Sequence, residues 1–341
     1  MNEPIFIARQ DTLEQEILPA HWLAQYKLFG EESYTFQNKE IWKKLCMSRA
    51  AANDRDMHAE ALEEMLTTFS AEHTGKWMLL IYGLDAAVLE GLATMAAIAA
   101  NGTAMAAVAG NALLMHAITN SQTAMHAITN SQTAMHAIAN SETAMQRIAN
   151  STTAMDAIGG SKIARDAVQA SPYYDAKIKE NDMAIAKLVV GFANLESARY
   201  SGCARMAADS TAMTAVAASS TAMTAVAASA TAMGKIAAVD AALSKLAAST
   251  TAMDALYARK KQMKGGSASK SGKFIILEIS QSNAFNTSKY GYATLSDGSK
   301  PDWSSYLAKY AFFQKYPKYA TYMLNDTDSD DYIYYFDIAS P

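Results

Sequence analysis

Four aspartates near the C-terminus, Asp326, Asp328, Asp330 and Asp337, occupy positions 1, 3, 5 and 12 of a window spaced like the calcium loop of an EF-hand. The sharp-turn glycine at position 6 is replaced by Asp331, and position 12 is Asp rather than Glu. Tyr332–Ile338 alternates as a strand where the second helix should follow, so the run reads as an acidic surface turn and only weakly as a metal site. His116, His126 and His136 each follow a methionine at intervals of ten. On one straight helix such neighbours lie about 15 Å apart, too far to share a zinc ion whose bonds are near 2 Å. Ala106, Gln146 and Asp156 take the same place in other repeats, which marks an exposed position. Cys46 and Cys203 share no zinc-type spacing, and Gly266–Lys273 misses the GxxxxGK[ST] phosphate loop. With no HExxH or GxSxG signature either, the expectation is a protein without cofactor or catalytic site.

The aromatic residues are the remaining candidates. Ten of the 17 tyrosines lie beyond Lys273, together with Trp303. Tyr306, Tyr310 and Phe313 share one face of a helix read over Asp302–Lys315 and are assigned to the core. Trp303, Tyr316, Tyr319 and Tyr322 are read as an exposed aromatic surface for a receptor, because such rings offer apolar faces with a polar tip.

The elements that carry these residues fall into successive regions. Residues 1–83 hold three amphipathic segments, Glu14–Gln25, Asn38–Met47 and Asp54–Phe69, with Trp22, Trp42 and Trp77 for bulk, and read as a helical N-terminal domain. Residues 84–169 are a decapeptide array, with Met95 to Met155 at an unbroken period of ten and Ile or Val three residues after each. Residues 170–201 interrupt it as a joint, and 202–264 resume it with the phase shifted. Gly and Ser at 265–272 read as a linker. Residues 273–341 read as a compact α+β tip, with strands over Lys273–Ser280, Tyr290–Leu295 and Asp331–Ile338.

Ten residues at about 100° each fall roughly 80° short of three helical turns, so one continuous amphipathic helix does not fit the repeat. Asn-Ser or Ala-Ser before each Thr-Ala-Met supplies N-caps, which favours one short helix per repeat and a stacked solenoid over the alternative, a multichain coiled coil. The fold class is mainly α, with a small α+β domain at the end. A net charge of −4 argues against a general grip on nucleic acid. No secretory signal is visible, and Trp77–Leu84 is far shorter than the ~20 residues that span a bilayer, so no membrane insertion is expected.

The unit (N/A)-S-x-T-A-M-x-A-(I/V)-(A/T), as in Ser131–Ala139 and Ser219–Ala227, resembles the alanine-rich repeats of bacteriophage tail-fibre and related virion appendage proteins. Gly272–Phe285 is similar to the endings that follow such arrays, and Ile7–Leu18 resembles the opening of phage tail proteins. The resemblance spans about half the chain through the repeat. It implies a structural appendage protein made in the bacterial cytoplasm and carried on the virion. Its N-terminal part would dock on other virion proteins, and its C-terminal part would face a host surface glycan or protein. It also implies a homo-oligomer, and it carries over no catalytic residue. The competing expectation is a cellular repeat scaffold that binds a protein partner along the solenoid face.

Overall fold

A computed structural model describes residues 55–67, 74–75, 78, 82, 84–89, 91–280, 291–303, 307–326 and 331–341. The expected helices at Glu14–Gln25 and Asn38–Met47, and Trp22, Trp42 and Trp77, lie outside the described residues. The chain is mainly helical with a small C-terminal antiparallel sheet, and it divides into two compact units, Met1–Tyr174 and Asp175–Pro341.

The first unit contains α1 (Arg55–Thr67), α2 (Ala86–Leu89), α3 (Met95–Ala100), α4 (Gly102–Gly110), α5 (Ala112–Asn120), α6 (Gln122–Thr129), α7 (Gln132–Ala139), α8 (Glu142–Ala149), α9 (Thr152–Gly160) and α10 (Lys162–Gln169). From α4 onward each decapeptide is one short helix, and a single extended residue turns the corner. Ser131, with φ −108° and ψ 116°, is such a corner. The axes of α4 and α5 meet at 102°. Three such corners almost close a loop, so each helix packs on the one three repeats later: α3 on α6, α4 on α7, α5 on α8, α6 on α9 and α7 on α10. The expected short-helix solenoid is present, with three helices to the turn. A continuous coiled coil on this repeat is excluded because the chain bends at every tenth residue.

The repeat's chemistry explains this geometry. In Ser131–Asn140 the residues Ala134, Met135 and Ile138 have no exposed surface, whereas Gln132, Thr133, His136 and Asn140 face solvent. Positions i, i+1 and i+4 make the one buried stripe that an eight-residue helix can offer. Met and Ile fill the middle of the triangle, each contributing roughly 1.5–3 kcal/mol on burial. No helix this short is stable alone, so packing across turns holds the array together.

From Ser131 to Ser161 the corner serine does two jobs. Its Oγ accepts the N–H three residues on, as Ser131 does from Ala134 at 3.1 Å, which is ordinary N-capping. The same hydroxyl donates to a carbonyl 32 residues back, at the corner one turn below: Ser131 to Ala99 (2.6 Å), Ser141 to Ala109 (2.7 Å), Ser151 to Thr119 (2.6 Å), Ser161 to Thr129 (2.6 Å) and Ser171 to Ala139 (2.5 Å). Asp and Asn cap helices as well as Ser; a carboxylate cannot also donate, whereas Asn111 caps Leu114 and its amide donates to Tyr82 O at 3.4 Å. Asn101 and Asn111 cap α4 and α5, near the start of the stack. There α1 lies against α5 and α6 with Leu62 buried. Its Glu63 accepts from the Ser121 hydroxyl and from Thr123 Oγ1 at 2.8 Å, so it closes the N-terminal end of the array.

The second unit repeats the device. After α11 (Tyr174–Lys177) come α12 (Asp182–Phe192), α13 (Cys203–Ala208), α14 (Ser210–Ala218), α15 (Ser220–Ala228), α16 (Ala230–Ala237), α17 (Asp240–Ala247) and α18 (Thr250–Ala258). The same three-helix offset pairs α12 with α15, α13 with α16, α14 with α17 and α15 with α18. Ser249 again donates 32 residues back, to Ala217 O at 2.5 Å. The interruption at 170–201, read as a joint, therefore supplies a leg of the second solenoid. α12 is buried from Ala184 to Phe192 because neighbours enclose it on all sides. Glu180 receives the N–H groups of Ala230 (3.1 Å) and Thr231 (2.8 Å), as Glu63 serves the first array.

The second array ends at Ala258, not at residue 264. β1 (Lys261–Lys264), β2 (Ala268–Ser280), β3 (Gly291–Leu295), β4 (Asp302–Trp303), α19 (Ala311–Lys315), β5 (Ala320–Asn325) and β6 (Tyr332–Asp337) follow. All described pairings are antiparallel, in the order β1-β6-β2-β5-β3-β4. The 265–272 stretch is not a linker: Ala268–Ser271 pairs with Asn325–Tyr322 as the first part of β2. Gly272 then bends the strand so that Phe274 onward pairs with β6. At its φ of +150°, a Cβ would lie 2.5 Å from the Phe274 ring, so glycine is required there for structure. The helix read over Asp302–Lys315 is reduced to α19, because Asp302–Trp303 extends beside β3 and Leu307 bridges to Ile279.

Candidate recognition surface

The aromatic set chosen from sequence does not converge. Trp303 is core: it is 3% exposed and meets Phe312 edge-on at 5.6 Å. A Cβ at Gly291 would lie 2.5 Å from its indole ring, so that glycine makes room for it. Trp303 is thereby removed from any receptor-facing surface. Tyr316 is half-buried against Phe312 at 5.2 Å, and Tyr319 lies under the Lys273 ammonium at 5.5 Å. Tyr322 is half-buried beside Tyr292, their rings 5.7 Å apart. Tyr310 and Phe313 are buried as expected, and Tyr306 lies outside the described residues.

The acidic set is not assembled either. Ser267 donates to Asp326, whereas Asp337 sits at the far end of β6 beside the Lys261 ammonium at 3.5 Å. The six residues of β6 put roughly 17 Å between its ends, so Asp337 cannot close a loop begun at Asp326. Asp328 and Asp330 lie outside the described residues. Among the described residues no three His, Cys, Asp or Glu side chains gather as metal ligands. His126 and His136 are exposed on successive helices, each beside the asparagine four residues later, and His116 is half-buried. Cys203 is buried at the start of α13, where burial first and then Asp182 push its thiol pKa well up and leave it inert.

The densest cluster of polar and aromatic side chains lies where α18 meets the sheet. The Tyr257 hydroxyl donates to Glu278 at 2.5 Å, and the Tyr310 hydroxyl and the Lys309 ammonium (3.1 Å) both bind Asp254. Lys260 and Lys309 stand over the Tyr257 ring at 4.1 and 4.3 Å, and Tyr257 also meets Tyr310 edge-on. Burial first, then the hydrogen bond to Glu278, raises the Tyr257 pKa. Hydrogen bonds from Tyr310 and Lys309 lower that of Asp254. Beyond this cluster Tyr334 lies 6.3 Å from Tyr257 and stacks on Tyr332 at 6.2 Å. Sequence reasoning missed these residues, yet a signal was present: Arg259, Lys260, Lys261, Lys264, Lys270 and Lys273 fall in a stretch, 255–277, that contains no acidic residue.

A second feature is a shallow groove on the first array between α4 and α7, lined by Gly102, Ala106, Gln132, Thr133, His136 and Asn140. Compared with known proteins, the chain matches no family model and no curated sequence. No described helix is long and apolar enough by itself to cross a membrane.

Proposed function

We propose that this protein is a structural component of a phage virion appendage, a tail or head fibre, made in the bacterial cytoplasm and assembled as a homo-oligomer. In this reading the N-terminal region attaches to other virion proteins, the solenoids act as stiff spacers, and the C-terminal sheet faces the host. The observation that carries it is the use of the repeated polar side chain: Ser131, Ser141, Ser151 and Ser161 each cap their own helix and tie it to the turn below. Residues committed in this way build a scaffold and leave a monotonous outer face of Gln, Thr, His and Asn. The likeness of the decapeptide to virion appendage repeats supports the same reading. A turn of three repeats advances the stack by only about 8–10 Å, whereas one helix of that length would reach roughly 45 Å. The repeats thus favour stiffness and girth over length.

The groove between α4 and α7 favours a second reading, a cellular scaffold that binds a partner along the solenoid. Antibody labelling of purified particles by electron microscopy separates the two. Label on an appendage is the expected result. Its absence from particles, with a partner cross-linked beside His136, would replace the first reading with the second.

A further inference from the structure

We propose that the side of the C-terminal sheet that meets α18, where the exposed Lys260 and Lys264 lie beside Tyr332 and Tyr334, binds an acidic polysaccharide. The proposal rests on the reading of the sheet as the recognising end and names the chemistry it would recognise. Lys264 is the cross-strand partner of Tyr332, and Gln262 that of Tyr334, so these side chains share one side of the sheet. The Lys260 ammonium, 5.7 Å from the Tyr334 ring, lies on that same side. Lys260 and Lys264 are exposed and form no ion pair among the described residues. Lys309 adds a third cation, partly balanced by Asp254, and Glu278 is engaged by Tyr257. This cationic strip belongs to a chain whose net charge is −4, so its sign is a local property of the 255–277 segment.

The pattern suits a polymer of sugar rings that carry carboxylates. Tyr332 and Tyr334 present stacked ring faces for the apolar side of a sugar. Lys260 and Lys264, four residues apart along extended chain, are separated by roughly 13 Å. A nucleic acid strand shares the negative charge, and its bases also stack on aromatic rings, so oligothymidylate is the competing arm of the test.

The test uses the full chain and affinity electrophoresis in gels containing polygalacturonate, neutral dextran or oligothymidylate. The expected result is retardation by polygalacturonate alone, abolished at high ionic strength. The Lys260→Gln, Lys264→Gln double variant should bind roughly tenfold more weakly with an unchanged melting curve, since both side chains are exposed. Tyr332→Ala should weaken binding while leaving its salt dependence intact. Wild-type protein that ignores polygalacturonate, a double variant that binds as well as wild type, or a preference for dextran or oligothymidylate would each overturn the proposal. Particle labelling is independent: a labelled appendage without polygalacturonate binding would refute this inference and leave the appendage reading standing.

Discussion

The two kinds of architecture in this chain specify contacts in opposite ways. In the arrays a residue meets its counterpart one turn above or below, so Ser141 and Ser151 make the same bonds with shifted numbers. In the C-terminal sheet each pairing is particular: Lys261 lies opposite Tyr335, and Ala268 opposite Asn325, across most of the domain. The difference teaches that an array is tolerant of length and intolerant of a wrong residue type at a repeated position. The sheet has no spare copies and is intolerant of missing pieces.

Truncation should give the largest effect. The segment Lys273–Pro341, read as a compact tip, lacks β1 and the Ala268–Ser271 part of β2 that pairs with β5. Expressed alone, it should remain unfolded, with a collapsed NMR spectrum; a dispersed spectrum would show that the sheet does not need those pairings. Next comes Met135→Asp, which puts an unpaired carboxylate among Ala and Ile side chains with no exposed surface. It should cost about 4 kcal/mol or more. His136→Asp, one residue away and exposed, should shift the melting temperature hardly at all.

The corner serines give an intermediate case. Ser141→Ala loses both the cap on Ala144 and the bond to Ala109, together about 2 kcal/mol. Ser141→Asp keeps a cap but cannot donate, so denaturant melts should place it well below wild type. Equal stability of Ser141→Asp and wild type would reduce the inter-turn bond to a bystander. A small effect is also expected from deleting Ser121–Asn130: every later repeat slides into an equivalent place, and Ser131 and Thr133 take over the Glu63 contacts of Ser121 and Thr123. Circular dichroism per residue should be unchanged; cooperative loss of helix would contradict nearest-neighbour stability.

What could be read in advance follows the same division. Caps and buried stripes are local, so the short helices, the inward Met and Ile and the outward His126 and His136 were legible from spacing alone. The second role of serine was not, because it depends on a corner 32 residues away. In the sheet, composition misled. Gly and Ser at 265–272 signal a linker, yet the serines pair in β2 and Gly272 makes the bend. Helical spacing over Asp302–Lys315 yielded to pairing with β3, and Trp303 was drawn into the core by Gly291 and Phe312. β5, which carries Tyr322, is not among the strands expected from the sequence.

The central claim is that three decapeptides make one turn of a solenoid, and a single distance tests it directly. Ala106 and His136 occupy the same exposed place on helices one turn apart and line one groove. Spin labels at Ala106→Cys and His136→Cys, with Cys46→Ser and Cys203→Ala in the background, can be measured by electron double resonance. The solenoid predicts a separation within about 20 Å, since stacked helix axes lie about 8–10 Å apart. A separation of roughly 45 Å, the length of thirty residues in continuous helix, would contradict it.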